Sequence, residues 1–506
     1  MTGARRLFPP LLTALAFGLA LGGCASVPLS PLAPSERDAI GQRLSQDIGV
    51  LASDAFGGRK PGTPGEALTL DYIENGLGEA GVQPGTNIPG SPWRAPVPLI
   101  GATPQPGTLG IARGKRETTL KGEDLAFFVR ESRTLIAETE MLFVGRRTDV
   151  PRELAMGRVV VMLNGAQSTA RRQALFELDP AAIVTVTEDP EDIRQLQRSY
   201  GEEALLLASG NAGAAMAIAS DAGMARALGE DRWRKLREAA REDGFEPVVL
   251  EALASIDAGT RRREFVSNNI IGLLPGTRPE AGSILLLAHW DHLGECEPDS
   301  FVDRVCNGAV DNASGVASML ELARRLAATG PYDRNIYFLA TTAEESGLLG
   351  AKAFVAEPPE PLDTFVAAFN FDTVALAPQG SPVGFVGEGR TPLDAIVLEA
   401  IAATGRRIGG REFAESFVQR QDGWALLQGG VPAVFLSSAF GTPDLAWPYL
   451  ERDYHRVSDN ADKVELGGAI DDLLLHETLV RKFASVEGYS PPVRAESGAP
   501  GIAGED

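Results

Sequence analysis

Ile284-Leu285-Leu286-Leu287-Ala288 is an unbroken apolar run, and the chain leaves it directly onto His289-Trp290-Asp291-His292. A run without a polar residue fits a strand buried on both faces, and such strands belong to sheets with helices on each side. Residues 335–341, 365–371 and 433–436 repeat the pattern, and 316–326 reads as a helix between the first two strands. This alternation predicts an α/β fold whose mainly parallel central sheet is covered by helices. In open α/β sheets, ligands gather beyond the carboxyl ends of the strands, so the polar residues found there decide the chemistry.

Those ends are rich in acids and histidine. After the first strand come His289 and Asp291. After 335–341 comes Thr342-Ala343-Glu344-Glu345, and 365–371 leads into Asp372. A Gly-bounded loop, Gly308-Ala309-Val310-Asp311-Asn312-Ala313-Ser314-Gly315, opens the helix between them, and Tyr454-His455 lies near the C-terminus. Carboxylates withdrawn from water need a partner charge or a metal. Imidazole and carboxylate together favour zinc, with manganese or cobalt as substitutes, over calcium and magnesium. His289, Asp311, Glu345, Asp372 and His455 suffice for two ions per chain if one carboxylate bridges.

These segments resemble the co-catalytic di-zinc exopeptidase family, which includes bacterial aminopeptidases and glutamate carboxypeptidases. The likeness covers about residues 36–85 and 269–488, including Leu51-Ala52-Ser53-Asp54 and Gly58-Arg59-Lys60-Pro61-Gly62 near the start. It implies the zinc exopeptidase fold and a role for each residue. His289 and Asp372 are similar to the ligands of one zinc, Glu345 and His455 to those of the other, and Asp311 to the bridge. Glu344 resembles the general base and Asp291 the carboxylate that orients His289. The family also implies a cis peptide at Asp311–Asn312. Arg420-Gln421-Asp422-Gly423-Trp424 departs from the family's Ser-Asp-His at that place, so substrate binding near Asp422 is the open point; Tyr454, like Trp290 and Tyr449, is a candidate pocket wall. His292 reads as a structural or loop contact and His476 as a packed or exposed helix residue.

The implied activity is hydrolysis of N-terminal residues from peptides. A carboxypeptidase on the same metals, a glutaminyl-cyclase-like acyl transferase and a non-catalytic binding lipoprotein are the alternatives. The last two should lack part of the ligand set or Glu344.

At 506 residues the chain exceeds one ordinary core. Residues 103–263 carry short strands at 141–144, 159–163, 181–186 and 204–208 with helical stretches between, and read as an inserted smaller α/β domain without a metal constellation. By placement it resembles a protease-associated domain. The peptidase domain then spans 36–102 and 264–488, with helices expected at 35–53 and 66–80 around a turn-rich 57–65. A net charge of -21 argues against a nucleic-acid partner.

At the N-terminus, Arg5 and Arg6 precede an apolar stretch, 7–21, the pattern of an export signal. Leu21-Gly22-Gly23-Cys24 resembles a bacterial lipoprotein box. It implies a signal peptide over 1–23, diacylation of Cys24, a tether over 24–35, and anchoring at the periplasmic side of the envelope, with Ala25 fitting the outer membrane. Export makes a Cys296–Cys306 disulfide the expected pairing. Residues 489–506, rich in Pro, Gly and Ala, read as a disordered tail. Oligomeric state has no signature in the sequence.

Overall fold

The computed structural model describes residues 32–199, 203–210, 214–297 and 302–492. The signal peptide and Cys24 lie outside the described residues. Two helices open the described chain, α1 (Pro34–Leu51) and α2 (Pro64–Glu79), each with proline in its first turn, where the missing N–H costs nothing. Ile40, Leu44, Ile48 and Leu51 of α1 bury one helical stripe, as do Leu70, Ile73 and Leu77 of α2.

The larger sheet contains β1 (Arg94–Pro104), β2 (Ala204–Leu207), β3 (Thr260–Leu274), β4 (Ser283–His289), β5 (Asn335–Thr341), β6 (Phe365–Asn370), β7 (Gly384–Val386) and β8 (Ala433–Ser437). Their spatial order is β7-β8-β6-β4-β5-β3-β1-β2, and Gln83–Pro84 pairs beside β3. The central strands β8, β6, β4 and β5 run parallel. Antiparallel strands flank them, with β7 on one side and β3, β1 and β2 on the other.

The run that begins at Ile284 divides its side chains between the two faces, as a strand must. Ile284, Leu286 and Ala288 join the core under α1, α3 (Ser314–Thr329) and α4 (Leu466–Ala484). Leu285 and Leu287 pack on the opposite face with Phe354, Phe365 and Leu426. Both faces are dry, which is why no polar residue interrupts the strand.

A second, eight-stranded sheet is built from residues between Thr108 and Ala258. It has its own core around Phe143, Val161, Val184 and Trp233. β1 and β3 lead out to it and back, paired antiparallel from Arg94 opposite Ile270 to Pro104 opposite Thr260. One strand expected within the insert belongs elsewhere: Ala204–Leu207 pairs with β1 and extends the larger sheet. Its local apolar pattern specifies a strand but not a partner.

The expected tail begins too early at 489. Tyr489 is buried, its ring 4.7 Å from that of Phe483, and its carbonyl accepts from Arg334 Nη2 at 2.9 Å. An aromatic residue with a core to enter stays packed despite the prolines that follow. Residues 493–506 lie outside the described residues. Cys296 and Cys306 are disulfide-bonded. Among the described residues, no helix is long and apolar enough to cross a membrane.

Candidate metal centre

β4, β5 and β6 end side by side and deliver His289, Glu344–Glu345 and Asp372 to one point. Asp311 arrives on the loop before α3, where Asp311–Asn312 is a cis peptide bond, and His455 on the turn after helix Pro443–Arg452. Ala343, Thr373 and His455 all hold positive φ, of 50°, 48° and 62°. Residues without glycine's freedom rarely adopt that conformation, and such strain gathers at functional sites.

The two carboxylate oxygens of Asp311 face different groups. Oδ1 lies 3.3 Å from Nε2 of His289, which is 3.5 Å from Asp372 Oδ1. Oδ2 lies 3.4 Å from Nε2 of His455, which is 2.9 Å from Glu345 Oε2. One carboxylate thus serves two donor clusters, one on each oxygen. The close His455 Nε2 makes no hydrogen bond, which suits a lone pair aimed at a shared cation. Asp291, Asp311, Glu344, Asp372, Asp422 and Asp459 are all buried around this point. So much withdrawn negative charge, with imidazole among it, suits bound zinc.

Asp291 acts through two groups. Its main-chain carbonyl is 3.2 Å from His289 Nδ1 and its carboxylate 3.8 Å. The carboxylate accepts from the backbone N–H of Glu344 at 3.0 Å and of Glu345 at 3.4 Å. It therefore sets the turn carrying both glutamates as well as the imidazole. Burial pushes its pKa up to about 7, against the pull of His289. Glu344 is driven well above the carboxylate range, by burial first and then by Asp422, Asp372 and Glu345, with His289 opposing.

Residues 269–473 match the model of peptidase family M28. This segment resembles the M28 peptidases. In fold the chain resembles an aminopeptidase from Aneurinibacillus sp. strain AM-1, with a TM-score of 0.53 and 18% identity over 88% of this chain and 94% of that one. Aminopeptidase YwaD of Bacillus subtilis is 36% identical over 129 residues, a quarter of each protein. A vacuolar membrane protease of Candida dubliniensis is 34% identical over 113 residues, which is 22% of this chain and 10% of that protein. Each curated relative is thus matched over a minor part of its length.

Beside the candidate metal ligands lies a cleft lined by Glu344, Phe417, Arg420, Phe440, Leu450 and Tyr454, among others. Tyr454 stacks on His455 with ring centroids 3.7 Å apart. Asp422, the candidate substrate contact, is instead buried with its carboxylate accepting from Thr341. Its neighbours Arg420 and Gln421 line the cleft in its place, because the chain turns into helix Gly423–Gln428 there.

Several residues that hold the candidate ligands in place were not singled out in the sequence. Asn312 donates to the carbonyls of Phe371 at 2.9 Å and His289 at 3.4 Å, and accepts from Gly315 N at 2.9 Å and Thr373 N at 3.3 Å. Asp459 accepts from the N–H of Val310 at 2.9 Å and of Asp311 at 3.1 Å, and from Tyr449 OH at 2.9 Å. Arg59, fully buried, donates to the carbonyls of Leu51, Trp290, Asn307 and Gly308 at 2.6–2.9 Å. Its place in Gly58-Arg59-Lys60-Pro61-Gly62 was the available signal. His292, read as a loop contact, has Nδ1 2.7 Å from Glu345 Oε1. His476 is buried in α4, with Nδ1 2.7 Å from the carbonyl of Asp472.

Proposed function

We propose that the chain is a di-zinc aminopeptidase that removes N-terminal residues from peptides. The observation that carries this reading is the division of Asp311, one oxygen to His289 and the other to His455. His289, Asp372 and Asp311 would hold one ion, and Glu345, His455 and Asp311 the other. When bound, such a pair acidifies a water and polarises the scissile carbonyl. Glu344, in the cleft wall, accepts the proton and returns it to the leaving amine. Its raised pKa suits a group that must hold a proton between two steps. Burial keeps the Tyr454 phenol protonated, ready to donate to the substrate carbonyl oxygen. Phe417, Phe440 and Leu450 offer an apolar wall to a side chain.

A carboxypeptidase is the second reading, favoured by Arg420. This guanidinium lines the cleft 3.5 Å from Tyr454 OH and pairs with no carboxylate among the described residues. Peptides blocked at either end separate the two. The aminopeptidase loses cleavage when the N-terminus is acetylated and keeps it when the C-terminus is amidated; the reverse result assigns a carboxypeptidase. Glu344→Gln should lower kcat by about 10²–10⁴-fold with zinc content unchanged. Unaltered turnover would remove Glu344 from the mechanism.

The same proposal includes export, acylation at Cys24 and attachment to the periplasmic side of the outer membrane, with residues 103–263 as a protease-associated-like insert beside the peptidase. In detergent phase separation the mature protein should enter the detergent phase, and Cys24→Ala should leave it in the aqueous phase.

A further inference from the structure

His292 has no exposed side-chain surface and stands beside Asp311 and Glu345. Its Nδ1 is 2.7 Å from Glu345 Oε1 and 3.9 Å from Asp311 Oδ2. An ionised carboxylate only accepts hydrogen bonds, so the hydrogen of this short contact sits on Nδ1. With Oε1 engaged, Oε2 is the oxygen of Glu345 left for His455, at 2.9 Å.

The ring cannot turn aside. Gly308, at a φ of 57°, lies against it, and a Cβ there would fall 2.6 Å from His292 Cγ. Nε2 is buried without a hydrogen-bond partner. As the bare nitrogen of the Nδ1–H tautomer it leaves one acceptor unused. If Nδ1 bound a metal instead, the neutral ring would carry its hydrogen on Nε2, where no acceptor is found; a buried donor without a partner is the costlier arrangement.

We propose that His292 is a positioning residue for the second ion: its Nδ1–H holds Glu345 Oε1 so that Oε2 alone is presented as a ligand. This role rests on the two-ion reading above and deepens it. It places His292 outside the ligand set, although its position beside Asp311 and Glu345 would allow coordination. Groups that hydrogen-bond a ligand typically change metal affinity by 10–100-fold when lost.

Zinc titration of chelator-stripped protein, followed by calorimetry and by metal analysis after dialysis, tests the role. His292→Phe keeps a ring against Gly308 and removes the donor. It should bind one ion as tightly as the unaltered protein and the second 10–100-fold more weakly. His292→Asn returns an N–H near the Nδ1 position and should recover most of that affinity. If phenylalanine prevents folding, judged by thermal melting of the apoprotein, His292→Ala takes its place in the comparison with asparagine. Unchanged affinity for both ions in the variant lacking the donor overturns the proposal. So does an asparagine variant as weak as that one, which would assign His292 to direct ligation or to packing. A wild-type chain that takes up no second ion is a separate result and overturns the two-ion reading itself.

Discussion

His476 illustrates how burial alone can make a side chain pH-sensitive. It lies within α4, 4.5 Å from the ring of Phe371 and 5.9 Å from that of Phe369. Burial lowers its pKa from 6.5 to about 4, with the Asp472 carbonyl opposing and Arg406 assisting. Below pH 6.5 the unfolded chain binds a proton that the folded chain refuses, so stability present at neutral pH is lost as the pH falls toward 4. The loss should reach about 2 kcal/mol at pH 5. His476→Phe should therefore lose less of its Tm between pH 7 and pH 5 than the unaltered protein. Equal losses would mean that His476 is not held neutral. The sequence left this residue between packed and exposed because one histidine in an apolar helix does not reveal which way it faces. Four of the five candidate ligands were legible because they follow an apolar strand or lie in a glycine-marked loop, whereas His455, on the turn after helix Pro443–Arg452, was carried by the family resemblance. Asn312, Asp459 and Arg59 were not legible, since they act on main-chain groups, which every residue has.

At the scale of elements, the loop before α3 is fixed from three sides. Arg59 binds the carbonyls of Asn307 and Gly308, Asp459 the amides of Val310 and Asp311, and the Cys296–Cys306 disulfide ties the chain just upstream. A Cβ on Gly308 would fall 2.1 Å from the carbonyl oxygen of Asp311. Gly308→Ala should thus displace Asp311 and weaken binding of both ions, in contrast to a substitution at His292, which should affect one. Zinc titration reads the difference, and an alanine variant with normal affinity for both would show that the loop yields elsewhere. Arg59→Gln leaves some of four buried carbonyls without a donor and should destabilise the fold by about 3 kcal/mol or more; denaturant melting measures it. The apolar runs at 141–144, 159–163, 284–288, 335–341 and 433–436 were read as strands, whereas the long ribbon strands β1 and β3, which carry polar residues, were not, and no strand's partner was legible. β2 has the same apolar look as the strands of the second sheet, and only pairing with β1 reveals where it belongs.

On the scale of the whole molecule, the proposed ligands come from widely separated parts of the chain, with His289 and His455 meeting through Asp311. Bound ions then act as cross-links that the unfolded chain lacks. Saturating zinc at about 1,000 times its Kd should add roughly 4 kcal/mol of stability per site, and a chelator should lower Tm accordingly. A melting temperature indifferent to the chelator would contradict the centre. β1 and β3 carry the chain between the two sheets as one paired ribbon, so the peptidase sheet is continuous in space although interrupted in sequence. That interruption, a long segment with its own core, was visible as a change in strand length and spacing. The order of the ligands along the chain has a consequence for synthesis. His455 follows every other ligand and Glu344 in the sequence, so a chain still emerging from the ribosome cannot complete the second cluster. On the proposed function, peptide-bond cleavage is therefore withheld until His455 has emerged and can reach Asp311.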